Sequence, residues 1–125
     1  YKFAENWTWE DTAYQVTFLG IACMDWHQTD WMSSHNWFWD GHQHREMNLL
    51  LGGHPDSGKV DKLIPLGMFA HTIIALALPP RSATKEEENN GKLNINYRRI
   101  WQNSFIIVEV AAVGNNYFAG VGFGF

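Results

Sequence analysis

Three apolar stretches separated by polar ones organise the chain. The first is Asp11–Trp26, the second Leu63–Leu78 and the third Ile100–Val113, followed by a tail rich in glycine and aromatics. The second contains no formal charge and stops at Pro79-Pro80. Neither proline donates a backbone N–H, and each disfavours helix in the residue before it. Asp61 is placed to cap its start, with Pro65 tolerated in an early turn. As a helix the run is about 24 Å long at roughly 1.5 Å per residue, so crossing a hydrocarbon core of about 30 Å needs flanking residues such as Val60. A buried helix of a soluble protein is the competing reading.

The first stretch also predicts a helix. Thr8 followed by Asp11 suits a capping box. Tyr14, Phe18, Ile21 and Ala22 fall on one face. The third begins after Gly91 and an asparagine-rich stretch and is expected to stop at Gly114-Asn115. These readings give one domain over residues 1–125, with helices at about 9–30, 61–78 and 97–114. The expected class is all-α: a small helical membrane protein with three principal hydrophobic helices. The last nine residues, YFAGVGFGF, alternate strictly and predict a short extended tail. Aromatic alternation ending in Phe also suits the closing strand of a small outer-membrane β-barrel, the third architecture considered. A barrel needs about eight strands, and residues 63–78 show no period-two pattern.

Composition sharpens this picture. Six of the seven tryptophans lie within residues 7–39, and Trp concentrates at headgroup depth. Charged residues are 18% of the 125 and the net charge is −4, so no basic field for nucleic acid exists. The mean hydropathy of −0.29 is low for a membrane protein, and the polar connections at 27–61 and 79–97 account for much of it. Arg81, Lys85, Lys92, Arg98 and Arg99 favour a cytoplasmic second connection. Cys23 is the single cysteine, which excludes an internal disulfide and a multi-cysteine zinc site. The chain begins at Tyr1, which suits removal of a signal-like segment and export.

Polar residues inside the apolar stretches are the candidate chemistry. Gln102, Glu109 and Asn116 are seven residues apart and share a face. His71 is near the middle of the second helix, and Asp25, Gln28 and Thr29 share a face at the end of the first. A carboxylate at membrane depth needs a partner, and His71 is the expected partner of Glu109. Two readings follow: a proton relay, metal site or hydrolytic pair with Glu109, His71 and Asp25 as catalytic candidates, or polar contacts that fix helix register. His27, His35, His42 and His44, with Asp30, Asp40 and Glu46, are candidate ligands for a divalent metal. The His42-x-His44 spacing lacks the helical pattern of a zinc protease. No other cofactor is expected.

Several short motifs occur in order: Asp25-Trp26-His27-Gln28-Thr29, Glu46-Met47-Asn48, Leu51-Gly52-Gly53-His54-Pro55, His71, Leu78-Pro79-Pro80, Arg98-Arg99-Ile100-Trp101-Gln102, Glu109 and Asn116. Together they resemble a family of small bacterial membrane proteins, some carried by phages, whose function is uncharacterised. The match spans about residues 10–125. Leu49 stands where that family has proline. The resemblance implies a bacterial membrane location and an initial signal-like segment. It also suggests one polar cluster from Asp25, Gln28, Thr29, Glu46, Asn48, His54, His71, Gln102, Glu109 and Asn116. The expected role is a structural or accessory subunit, most simply of the inner membrane. Its partners would be lipid and other membrane subunits or itself. A membrane-embedded hydrolase or metal site is the alternative.

Overall fold

A computed structural model describes residues 3–46 and 51–122. It is mostly helical, consistent with the all-α reading. The elements are α1 (Trp9–Ser34), a small hairpin of β1 (Phe38–Trp39) and β2 (His42–Gln43), α2 (Ser57–Ala77), α3 (Lys85–Asn89) and α4 (Tyr97–Phe118). The β-barrel alternative does not fit: among the described residues the hairpin is the only sheet. Tyr117 and Phe118, assigned to an extended tail, close α4 instead. Residues 123–125 lie outside the described residues.

The helix ends follow from their caps. At α1, Thr8 and Asp11 form the expected box: the Asp11 N–H donates to Thr8 Oγ1 at 3.3 Å and the Thr8 N–H to Asp11 Oδ2 at 3.0 Å. Asp56, rather than Asp61, caps α2 by accepting from the Lys59 N–H at 2.8 Å, which moves the start four residues earlier. Asp61 instead accepts from Trp26 Nε1 at 2.8 Å. Gly114-Asn115 does not stop α4, because the last turn is terminated at Gly120, with φ at +96°. A Cβ there would meet Asp40 Oδ2 at 2.7 Å, so glycine serves both the backbone conformation and the close approach. Asp40-Gly41 turns the hairpin with both φ values positive, the geometry of a two-residue turn that favours Asp-Gly. Thr84 caps α3 with Glu87 completing the box. Lys92 bonds Glu87 at 2.6 Å and, with the Thr84 N–H, holds that exposed carboxyl below the usual range.

The three long helices pack around one another. Contacts pair residue 11 with 98, 15 with 102 and 28 with 116, so α1 and α4 run parallel. Trp26 meets Asp61 and Gln15 meets Thr72, so α2 runs antiparallel to both. Among the described residues only α2 is long and apolar enough to cross a membrane, with mean hydropathy 1.4. This corrects the expectation of three principal hydrophobic membrane helices: one is a candidate span, not three. Asp11, Asp25 and Asp30 in α1 and Arg98, Arg99 and Glu109 in α4 dilute the apolar character of those two.

The tryptophans divide. Trp37 and Trp39 are buried with Met32 and Val121 in a small core beneath the hairpin. Trp37 Nε1 donates to the Pro55 carbonyl at 3.0 Å and Trp39 Nε1 to that of Ala119 at 2.8 Å. Trp9 is 88% exposed. A single interfacial belt therefore does not describe them.

Candidate functional site

Two polar layers cross the bundle at different heights. The first joins the beginnings of α1 and α4 to the end of α2. Arg98, 0% exposed, donates from Nη1 to Asp11 Oδ2 at 3.0 Å, from Nε to the Ala75 carbonyl at 2.9 Å and from Nη2 to the Glu5 carbonyl at 3.0 Å. Arg99 Nη2 donates to the other Asp11 oxygen at 3.0 Å. The Arg98 guanidinium lies 4.8 Å from the Trp7 ring centre and that of Arg99 lies 4.0 Å from Tyr14. Such pairing and hydrogen bonding is what a buried ion pair needs to offset desolvation. The capping role read from the sequence is only part of what Asp11 does. Its caps and its ion pairs use the same carboxylate.

Just beyond this knot, Gln102 Nε2 donates to the Asp11 carbonyl at 3.0 Å and to Gln15 Oε1 at 3.3 Å. Gln15 Nε2 then reaches Thr72 Oγ1 at 2.9 Å and His71 Nδ1 at 3.1 Å. An amide N–H₂ can only donate, so Nδ1 accepts and Nε2 carries the ring hydrogen. The ring stacks on Phe18 at 3.7 Å. Its partner is thus Gln15, not Glu109 as expected from their similar positions along the helices.

The second layer lies towards the hairpin. Asp25 and Glu109 bring their carboxyl groups together between α1 and α4. Asn116 Nδ2 donates to Asp25 Oδ1 at 3.4 Å and to Gln28 Oε1 at 3.1 Å. Gln28 Nε2 donates to the Gly122 carbonyl at 2.8 Å and to that of Val113 at 3.3 Å. Thr29 Oγ1 donates to the Asp25 carbonyl at 2.8 Å. Glu46 lines a pocket together with Asp25 and Asn116 of this layer. Glu109 Oε2 is buried with no hydrogen-bond partner.

The single expected cluster is therefore two. Asp25, Gln28, Thr29, Glu46, Glu109 and Asn116 belong to the second layer, while His71 and Gln102 belong to the first. His54 joins neither: its Nε2 lies 2.9 Å from the His44 carbonyl, on the loop beside the hairpin. Asn48 lies outside the described residues.

The metal candidates are dispersed. His35 stacks on Trp31 at 3.8 Å and His44 on Trp39 at 3.7 Å. His42 is exposed in β2, and His27 is exposed on α1. Among the described residues, no group of three or more His, Cys, Asp or Glu side chains is placed to hold a metal ion. One acidic pair was not foreseen: Asp30 and Asp61 meet beside Trp26.

A cavity of about 320 Å³ joins the two layers. Phe18, His71 and Phe105 line it at one side, Asp25 and Glu109 at another, and Gly67 and Leu66 of α2 at its outer edge. Compared with known proteins, the chain matches no family model, no curated protein and no solved structure.

Proposed function

We propose that this chain is a small integral membrane protein of the bacterial inner membrane. Its role is that of a structural or accessory subunit, packing against other membrane subunits or further copies of itself. The observation that carries the reading is a set of buried polar side chains inside the bundle together with large apolar side chains exposed on α2 and α4. Asp11, Gln15, Gln28, His71, Arg98 and Gln102 are buried, whereas Leu66, Phe69, Ile73, Ile100, Ile107, Val108 and Val110 are exposed. Water-soluble domains bury apolar side chains and seldom leave a contiguous apolar belt. In lipid the preference reverses: polar groups turn inward and satisfy one another. The exposed apolar residues lie on α2 and α4, and α2, with 21 residues, is about 31 Å long, comparable with the hydrocarbon thickness of about 30 Å.

Small residues support the packing role. Gly67, Ala70 and Ala77 of α2 and Ala111 of α4 are exposed, and small residues allow close approach of a neighbouring helix. The test is extraction of the full chain, expressed in a bacterial host, from membranes. Embedding predicts that it stays in the pellet at alkaline pH and enters solution only with detergent. The subunit role predicts a discrete cross-linked assembly in mild detergent. Release by alkali would overturn the membrane reading, and a monomer with no associated protein would overturn the subunit role.

A second reading has one observation in its favour: two carboxyl groups meet at the wall of a cavity. A hydrolase built there would use Asp25 with Glu109 as its acid–base pair, with or without a divalent metal. Stoichiometric metal lost on Glu109→Gln, or a hydrolytic activity lost with it, would favour this reading over the accessory role.

A further inference from the structure

We propose that the cavity between α1, α2 and α4 is a binding site for a small organic amine, an ammonium group on an apolar body about the size of one ring. The two ends of the cavity differ chemically. At one end three rings meet, one from each long helix. Phe18 stacks on His71 at 3.7 Å, Phe105 stands edge-on to His71 at 5.0 Å, and Phe18 and Phe105 are 6.3 Å apart. At the other end are the carboxyl groups of Asp25 and Glu109. Among the described residues, no lysine or arginine lines the cavity.

Each end contributes one residue with a buried polar atom that has no hydrogen-bond partner. Glu109 Oε2 is buried without a hydrogen-bond partner. His71 is 3% exposed. Its Nδ1 is taken by Gln15, and its Nε2 is left buried and unpaired. Buried polar groups without partners are uncommon because each costs about 1–3 kcal/mol. A ligand that supplies those partners recovers that cost. An ammonium matches the carboxyl pair in charge and donates hydrogen bonds to it. The rings accept an apolar body and attract a cation over their faces. An oxygen on that body would also accept from His71 Nε2.

The volume is right for this class and wrong for a larger one. A cavity of about 320 Å³ is near the lower end of small-molecule sites, which run from about 300 to 1,000 Å³. Its outer edge is formed by Leu66 and Gly67, both exposed on α2, so an amphipathic ligand reaches it from the side of the bundle. A Cβ added at Gly67 meets no atom within 4 Å. Gly67→Leu therefore narrows the site without a backbone clash and with better helix propensity.

The test is saturable binding of benzylamine to the full-length protein in lipid nanodiscs, with empty nanodiscs as the blank and benzyl alcohol and benzoate as uncharged and anionic counterparts. The expected order is benzylamine, then benzyl alcohol, with benzoate not binding. Glu109→Gln is expected to weaken benzylamine by about tenfold or more, the effect of losing one charged hydrogen bond. Benzyl alcohol binding should survive that change, which shows that the variant is folded. Gly67→Leu is expected to abolish both. Absence of saturable benzylamine binding to the wild type would overturn the proposal, as would equal binding of amine and alcohol or indifference to both substitutions. Membrane extraction is unaffected by any of these outcomes, so the site and the membrane location fail separately.

Discussion

The two polar layers of the bundle face the same physical problem and resolve it differently. Asp11 is buried against two arginines, and Arg98 distributes its remaining donors over two backbone carbonyls. Asp25 and Glu109 are placed side by side, with an amide from Asn116 on one of them and a buried, unpaired oxygen on the other. The first arrangement neutralises charge within the chain and ties three helix ends together. The second leaves like groups adjacent at a cavity wall, which costs stability. The two layers therefore differ in charge rather than in how many polar atoms find partners: Arg99 Nε, Gln102 Oε1 and His71 Nε2 are unpaired in the first, as Glu109 Oε2 is in the second, but only the first sets opposite charges against each other.

The largest expected effect is at the compensated end. Arg98→Met leaves Asp11 with one partner in place of two and frees two carbonyls, and breaking a buried pair costs about 3–5 kcal/mol. The expected result is a large fall in the thermal midpoint in detergent, or loss of folded protein. An unchanged midpoint would mean that the ion pair is not holding the helix ends. A smaller effect is expected for Gln28→Leu, which removes the amide donating to Gly122 and Val113. Asn116 keeps its bond to Asp25 and Val113 lies within α4, so the loss is of the buried cross-link itself, about 1 kcal/mol, read as a slightly lower midpoint and faster amide exchange near the end of α4. The smallest is Glu109→Gln. Removing one of two adjacent carboxyls relieves like-charge repulsion, so the midpoint should hold or rise even though benzylamine binding is expected to weaken. A fall as large as that of Arg98→Met would erase the distinction between the two layers.

Much of the helical layout is legible in the sequence because it rests on local rules. Apolar runs mark the long helices, and Thr8 with Asp11 marks the first cap. Boundaries went astray where two local signals compete. Asp56 and Asp61 are both able to cap, and Asp56 takes the role while Asp61 serves Trp26. Gly114 resembles a helix stop, yet Gly120 is where the positive φ and the close approach of Asp40 are needed. The Asp40-Gly41 dipeptide is a local turn signal, but the two-residue strands it joins are too short to show a period-two pattern. Residue partnerships were least legible. His71 and Glu109 both lie mid-helix, but helix register places Gln15 at His71 and Asp25 at Glu109. The pairing of Asp11 with Arg98, 87 residues apart, depends on α1 and α4 running parallel, which no local pattern states.

The membrane reading rests on the apolar belt, and one labelling experiment addresses it directly. With Cys23 replaced by Ser, single cysteines at Ile73 and Ile107 are compared with one at Glu86 on α3, using a membrane-impermeant maleimide on opened membrane sheets. Embedding predicts that Glu86→Cys labels rapidly while Ile73→Cys and Ile107→Cys stay unlabelled until the protein is denatured in detergent. Rapid labelling at Ile73 and Ile107 in the intact membrane would contradict it and return the bundle to water.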